Sequence, residues 1–445
     1  MMSNPLASAP TAKTNSPLAK KVTIVGGGVI GVTTAFFMQQ AGFEVRLLEA
    51  TDKIAAATSK ANGGQLSVSH AEPWATPDLP GQLPKLLSSK HAPLKIKLTL
   101  DPHQYRWLLS FLRECLPARH LKNTLKLTRL GLESRAALAQ IHKVLAQHKV
   151  DLTYARRDQG ILHFYTHLDA LASAQKPSKI KRAAGLAHRW VTSEEAKALE
   201  PALSSVKGLL RASFTPSDSS GDARLFSLKL SRFVLQQGAK IRLGAKVNRL
   251  KTDTSTNQIT SLLLDSGETI NLSDGEILVL CTGVHTPRLT RPLGIYPQIY
   301  PAKGYSATYD VLDPSRVPEI SLIDDEYKLV YSRFTEAGLG GDFGSGRDVL
   351  RVAGMAEIGS YDLTLDPLRA NLITERVSAL FGDAVNLETP NYWCGLRPST
   401  PSNLPYVCGT PVSNLWLNAG HGTLGWTQAA GSAKRLSDLI TASLY

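Results

Sequence analysis

Residues 20–50 read KKVTIVGGGVIGVTTAFFMQQAGFEVRLLEA, and this stretch decides the fold. Val22, Ile24 and Val25 form a short apolar, β-branched run bounded by glycines, the pattern of a strand buried on both faces. Gly26, Gly28 and Gly31 match G-x-G-x-x-G and open an apolar helical stretch through Val32, Ala35, Phe36 and Met38; residues 43–48 then read as a second strand. The glycines have separate duties in such a βαβ unit: Gly26 makes the tight turn, Gly28 lets a pyrophosphate approach the backbone, and Gly31 lets helix and strand pack closely. The helix N-terminus supplies unpaired N–H groups and a partial positive charge for phosphates. Glu49 ends the second strand roughly 20 residues beyond the glycines, where an acidic residue takes the ribose hydroxyls. Dinucleotide binding follows, with Val25, Gly26, Gly28, Val29, Ile30, Gly31 and Glu49 as candidate contacts. The turn alone does not choose between a nicotinamide and a flavin.

The order of the remaining elements bears on that choice. A small-residue segment at 51–74 turns at Asn62-Gly63-Gly64, and two helical stretches follow at about 104–115 and 122–148. Strand patterns occupy 151–165 and 295–357, Asp265-Ser266-Gly267-Glu268 reads as a hairpin turn, and residues 276–289 return to a buried apolar strand ending in Cys281-Thr282-Gly283. The chain closes with strand, glycine loop and helix. A nucleotide domain that opens the chain, is interrupted, resumes near 276 and finishes at the C-terminus is the layout of flavoproteins with an interleaved substrate domain. The expected fold class is α/β, an FAD-binding Rossmann-like domain interleaved with a strand-rich α+β substrate domain. The nucleotide part takes 20–75, 221–290 and 391–445; the substrate part takes 76–220, with a basic helical region, and 291–390.

Composition narrows the alternatives. The 445 residues suffice for about two or three domains, and 43% hydrophobic with 20% charged residues is a globular balance. Residues 1–19 lack periodicity and read as a disordered tail with no secretory signal. Cys115, Cys281, Cys394 and Cys408 show no C-x-x-C spacing, so neither zinc nor a disulfide framework is expected, and no ligand set for any metal stands out. No G-x-S-x-G follows a strand, which argues against a serine hydrolase. The net charge of +13 is concentrated at residues 83–129, where Lys85, Lys90, Lys95, Lys97, Arg106, Arg113, Arg119, Lys122, Lys126 and Arg129 face only Asp101 and Glu114. Leucines interleave with them, a mixture suited either to an anionic bilayer surface or to an ordinary solvated helix face. The leucine-rich pattern lacks the stacking aromatics of RNA-binding surfaces, so no nucleic acid is expected.

The motifs VIGVTTAFFMQQAG, TSKANGGQLS, KHAPLKIKL, YPAKGYSAT, VAGMAEI, WCGLRPSTP and NLWLNAGHGTLGWTQAAGS resemble those of the D-amino acid dehydrogenases, in the group that includes glycine oxidase, sarcosine oxidase and D-amino acid oxidase. The resemblance runs from about residue 21 to 439. It implies non-covalent FAD, a small D-amino acid substrate with D-alanine foremost, hydride transfer to the flavin, release of an oxo acid and ammonia, and electrons passed to a membrane quinone. It also implies a cytoplasmic protein able to sit on the cytoplasmic face of the inner membrane. Two segments depart from the family pattern: Thr400-Pro401-Ser402-Asn403 stands where Thr-Pro-Asp-Gly is usual, and His70 and Glu72 stand where Tyr and Ala are usual.

Site candidates follow from chemistry and resemblance together. Arg397, in GLRP, offers the planar fork that matches a carboxylate bidentately, and the resemblance places it over the flavin. Tyr305, in KGYS, could give its phenol to the same carboxylate or be a core tyrosine; Arg333, in YSRF, is a reserve anchor. Thr58, Ser59, Asn62, Gly63, Gly64, Thr282, Gly283, Gly420, His421, Gly422, Thr423, Leu424 and Gly425 are further cofactor candidates, the last group because a helix starting near Thr423 directs its positive end at bound negative charge. The resemblance adds Val247, through its backbone at the adenine. Competing readings are a D-hydroxyproline dehydrogenase, an oxygen-using amino acid or glycine oxidase, a flavin-bearing RNA-modification protein, and a non-catalytic dinucleotide-binding protein that would leave Arg397 without a role.

Overall fold

The computed structural model describes residues 20–81, 93–335 and 348–444. Lys21–Val25 lies in the middle of a six-stranded sheet ordered Tyr406–Gly409, Leu415–Ala419, Ile277–Leu280, Lys21–Val25, Glu44–Leu48, Lys240–Arg242. All neighbours are parallel except the first pair. A parallel sheet must be covered on both faces, and alternation along the strands provides for this. Ile277 and Val279 face a core built with helices Val29–Gln40, Ala223–Gln236 and Gly425–Ala442, whereas Leu278 and Leu280 face Leu250 and Leu262 of an antiparallel meander, Val247–Asp253, Gln258–Leu264 and Thr269–Asn271. The meander's second turn passes through Gly267, at φ +86°.

A second sheet carries Asn391–Ser399, Tyr300–Asp310, Asp348–Ile358, Leu329–Thr335, Ser321–Asp324, Ile161–Tyr165, Arg211–Thr215 and Arg189–Thr192 in that order, with Leu94–Ile96 beside Asp348–Ile358. Helix Pro367–Phe381 buries Ile373, Val377 and Leu380 against one face of it, where Tyr305, Tyr309 and Val352 meet them.

The chain crosses between these bodies differently from the sequence expectation in two places. Residues 391–399, assigned to the nucleotide part, form a strand of the second sheet, because Asn391–Ser399 pairs along its length with Tyr300–Asp310. Helix Pro117–Gln147, assigned to the substrate part, packs Ile141 and Leu145 into the nucleotide-side core. It approaches Gly425–Ala442 so closely that a Cβ on Gly431 would stand 2.7 Å from the Ser134 backbone, and Ser134 Oγ accepts from Gly431 N–H at 3.0 Å. Helix Leu168–Ala183 escaped the sequence reading; Pro177 lies inside it and interrupts the local signal. Of the basic region, Lys85 and Lys90 lie outside the described residues.

Candidate active site

A cavity of 1880 Å³ lies between the two sheets, lined at one end by the glycine turn after Lys21–Val25 and at the other by the second sheet. The turn's glycines are needed for different reasons. Gly26 sits at φ +108°, and a Cβ there would stand 2.5 Å from Cys281 O; a Cβ on Gly31 would stand 1.7 Å from Gly26 O. Both positions are closed by the protein's own backbone. At Gly28, among the described residues beyond its chain neighbours, the only atom within 4 Å of a Cβ would be Ser59 Oγ, at 3.5 Å, so that face of the turn opens on the cavity. Glu49 accepts from Gly27 N–H at 2.6 Å and from Thr51 N–H at 2.8 Å, which fixes the carboxylate at the cavity wall. Val25, Val29, Ile30, Thr58, Ser59, Asn62, Gly63 and Gly64 line the same space, as do Val247, Thr282 and Gly283. Gly31 does not line it; its part is the close packing of helix on strand.

The opposite strand, Leu415–Ala419, ends in Gly420 at φ +87°, runs through a turn of 3-10 helix at Gly422–Leu424, and enters helix Gly425–Ala442. His421, Thr423 and Gly425 line the cavity there, so the positive end of this helix faces it. His421 bonds Ser432 Oγ through Nε2 at 2.9 Å, and burial pushes its pKa down to about 3, so it is a neutral imidazole tied to its own helix.

Arg397 reaches over the second sheet. Its side chain lies on Gly304, where any Cβ would collide with the guanidinium, and donates to Met355 O and to Gly354 O at 3.0 Å. These carbonyls are presented by a bulge: opposite Lys303 and Tyr305 the partner strand pairs through Glu357 and Gly354, and Met355 takes a left-handed φ of 49°. Two of the five guanidinium N–H groups are thereby used, which leaves three. Among the described residues no carboxylate pairs with Arg397, and burial pushes its pKa down to about 10. A half-buried guanidinium without an anion is costly, and the cost is removed by a bound carboxylate.

Tyr305 takes the second of its two expected positions, that of a core tyrosine, whereas Arg333 is not placed as an anchor. Alternation along Tyr300–Asp310 puts Gly304 under Arg397 and turns the Tyr305 ring to the opposite face, under helix Pro367–Phe381, within 5.8 Å of Lys303 Nζ and 5.6 Å of Arg369 Cζ, although Tyr305 still contributes to the cavity lining. The Arg333 guanidinium is taken up by Asp348, through Nε at 2.6 Å and also through Nη2, and by Pro314 O; it does not line the cavity.

The comparisons with known proteins agree with this geometry. The model of the family described as FAD dependent oxidoreductase matches residues 21–439. The chain is 39% identical over 423 residues to a D-amino acid dehydrogenase of Dechloromonas aromatica (strain RCB), covering 95% of this chain and 97% of that one. The chain belongs to the FAD-dependent oxidoreductases, in the D-amino acid dehydrogenase family. A D-amino acid dehydrogenase of Phenylobacterium zucineum (strain HLK1) is 35% identical over 421 residues, 94% of this chain and 93% of that relative. Among solved structures, glycine oxidase from Bacillus cereus ATCC 14579 superposes with a TM-score of 0.69 at 19% identity, covering 95% of each chain. L-proline dehydrogenase from P. horikoshii superposes at 0.67 with 15% identity, covering 96% of this chain and 94% of that one. These two share the fold.

The flavoenzyme's cavity fits its cofactor: the open side of Gly28, the fixed Glu49 carboxylate and the helix end at Gly425 surround one elongated space. FAD, when bound, supplies the acceptor for a hydride, which carries the two electrons of the oxidation. Several wall residues carry no sequence signal, because they lie in an irregular segment between periodic elements. Trp74 places its ring 5.9 Å from Arg397 Cζ, and its backbone N–H donates to Asn403 Oδ1 at 3.0 Å. Asn403 is the residue that replaces the family's usual glycine. It sits at φ +60°, a conformation Asn tolerates, and gains a side chain that pins Trp74. The second departure, His70 and Glu72, also lines the cavity.

Proposed function

We propose that the flavoenzyme oxidises small D-amino acids, D-alanine foremost, to imino acids that hydrolyse to oxo acids and ammonia, and passes the electrons to a membrane quinone. The observation that carries the reading is Arg397: a guanidinium held by two carbonyls, unpaired by any described carboxylate, facing a cavity whose other end is a dinucleotide cradle. The carboxylate of an amino acid completes its fork, with Trp74 as the neighbouring wall. Fixing the substrate at one end restricts which α-hydrogen is presented, and orientation of this kind is the protein's main contribution when a cofactor carries the chemistry. The D-amino acid dehydrogenase relatives support the stereochemical part of the reading. Under anaerobic conditions D-alanine is expected to bleach the visible flavin absorption of the holoenzyme, and L-alanine is not. Bleaching by L-alanine alone, or by neither, sinks the proposal.

The acceptor reading draws on the surface beside the cavity. Leu100 and Leu109 are 99% and 70% exposed, Leu98, Tyr105 and Leu116 are exposed near them, and Lys97, Arg106, Arg113 and Lys122 are exposed on the same elements. Trp107 and Phe111 face inward and stack at 4.9 Å, so helix Pro102–Glu114 presents leucines and cations outward by its amphipathic period. No helix among the described residues is long and apolar enough to cross a membrane. The expected result is co-sedimentation with anionic vesicles that salt weakens, since each basic residue near such a surface contributes roughly 1 kcal/mol. Leu100→Ser with Leu109→Ser should release the protein and slow reduction of a vesicle-borne quinone, while turnover with a soluble dye persists. Pelleting of the double variant like the wild type would remove this surface from the account.

A further inference from the structure

His70, Glu72 and Trp74 are half-buried and line the cavity, while Ala71 and Ala75 are buried behind them. Trp74 stands 5.9 Å from Arg397 Cζ, and Glu72 follows within two residues of chain, a span of at most about 7 Å. The His70 ring lies 5.9 Å from that of His163, which belongs to a strand at the far side of the second sheet from Arg397. The segment 70–74 therefore connects Arg397, at Trp74, with the strand Ile161–Tyr165, at His70.

Glu72 is held in place. Lys181, itself only 3% exposed, donates to Ser69 O at 2.6 Å and pairs with Glu72 Oε1. Asp218 accepts from the N–H groups of Val68 and Ser69 at 3.1 and 2.9 Å and fixes the segment that leads to this wall. Among the described residues Glu72 Oε2 receives no hydrogen bond, and the side chain keeps 30% exposure toward the cavity. Burial works to raise the Glu72 pKa, but the charge and hydrogen bond of Lys181 hold it below the usual carboxylate range, so it is an anion. His70 is pushed down to about 4, chiefly by burial and then by His163, so it is neutral with one ring nitrogen free to accept. The remaining charges lining this end are Asp78, Asp169, Asp325 and Glu326 against Lys176 and Lys328. Asp325 is bonded to Lys328 at 2.9 Å and to His163 at 3.2 Å. Acceptors thus outnumber cationic donors here, in a chain whose net charge is +13.

We propose that Glu72 and His70 select the substrate side chain, favouring D-amino acids that end in a hydrogen-bond-donating cation, ammonium or guanidinium, over aliphatic side chains of equal length and over anionic ones. The inference rests on the reading of Arg397 as the anchor of a D-amino acid carboxylate. A cation at the end of the side chain makes a charge-assisted bond to Oε2. A methyl in the same place strips water from that carboxylate and returns nothing, and a carboxylate is repelled. The side chain of D-alanine stops short of the wall, which stays hydrated, so this substrate is accepted without being selected.

The test separates binding from turnover. The holoenzyme is titrated by calorimetry with δ-aminovalerate and with hexanoate, carboxylates that have no α-amine to oxidise and differ by an ammonium in place of a methyl. δ-Aminovalerate is expected to bind about tenfold more tightly, and in Glu72→Gln the ratio falls to about one. In turnover, D-ornithine should exceed D-norleucine in kcat/KM by a similar factor, mostly through KM. Glu72→Gln leaves Lys181 buried without its anion, so the double variant Glu72→Gln/Lys181→Met, which removes both charges, takes its place if the single variant loses FAD. Equal binding of the two ligands, tighter binding of hexanoate, or a ratio unchanged by both variants overturns the inference. If D-alanine also fails to bleach the wild-type flavin, the underlying reading of Arg397 is lost as well; if D-alanine bleaches it, only the selection by Glu72 and His70 is.

Discussion

Gly28→Val yields a folded protein without FAD. Gly28 has φ −71°, which any residue adopts, and among the described residues beyond its chain neighbours no atom but Ser59 Oγ lies within 4 Å of a Cβ there, so the chain itself loses nothing by the substitution. The valine methyls instead occupy the open side of the turn, where the cofactor's pyrophosphate must approach the backbone. The purified variant should be colourless, with a far-UV circular dichroism spectrum like that of the wild type. Its Tm should fall to that of FAD-stripped wild type, since a ligand held at a thousand times its Kd contributes about 4 kcal/mol. Gly31→Val is the contrasting case: its Cβ would stand 1.7 Å from Gly26 O, so it is expected to abolish soluble expression rather than cofactor binding alone. A yellow Gly28→Val protein with one flavin per chain would refute the assignment of this turn.

Arg397→Lys has the second large effect. Arg397 donates to two carbonyls at once and keeps three N–H groups for a ligand. A lysine ammonium cannot hold Met355 O and Gly354 O and still offer two parallel donors to a carboxylate. The loss of a charge-assisted bidentate pair is expected to lower kcat/KM for D-alanine by about 30-fold or more, about 2 kcal/mol. FAD content should be retained, because Arg397 takes no part in the glycine turn. Titration with an unreactive carboxylate gives the independent check: its Kd should rise with the loss of activity. Unchanged kcat/KM and unchanged carboxylate affinity would remove Arg397 from the site.

How much of this was legible in the sequence varied with how local the signal was. The glycine turn, the strand 276–280 and the closing glycine loop are written in consecutive residues, because turn conformations and strand burial depend on the residues that make them. The residues named there do line one cavity, Gly31 excepted. Arg397 was singled out by its side-chain chemistry, but nothing nearby announces the Met355 bulge that holds its guanidinium. Tyr305 and Arg333 show the opposite limit. KGYS places glycine and tyrosine on opposite faces of a strand, and only helix Pro367–Phe381 decides which face is the core. YSRF offers an arginine, and only pairing with Asp348–Ile358 brings Asp348 to take it. Trp74, Glu72 and His70 lie in a segment with no period; His70 and Glu72 stood out only as departures from the family resemblance, and nothing marked Trp74.

The sequence by itself determined the nucleotide-binding half of this flavoenzyme and that it takes a dinucleotide, with the order of the later elements pointing to a flavin. A glycine that must turn the chain, a helix that must begin beside it and an acid that must follow are constraints satisfied within about 30 residues, the span of a βαβ unit. Tertiary structure decided the substrate side: that residues 391–399 join the second sheet, that Arg397 lies over Gly304 with no carboxylate partner among the described residues, and that Glu72 is tied to Lys181 more than a hundred positions away in sequence. The physical reason is that a substrate pocket is built from contacts between segments. The charge, burial and free hydrogen-bonding capacity of a residue there are set by neighbours that only the folded chain supplies.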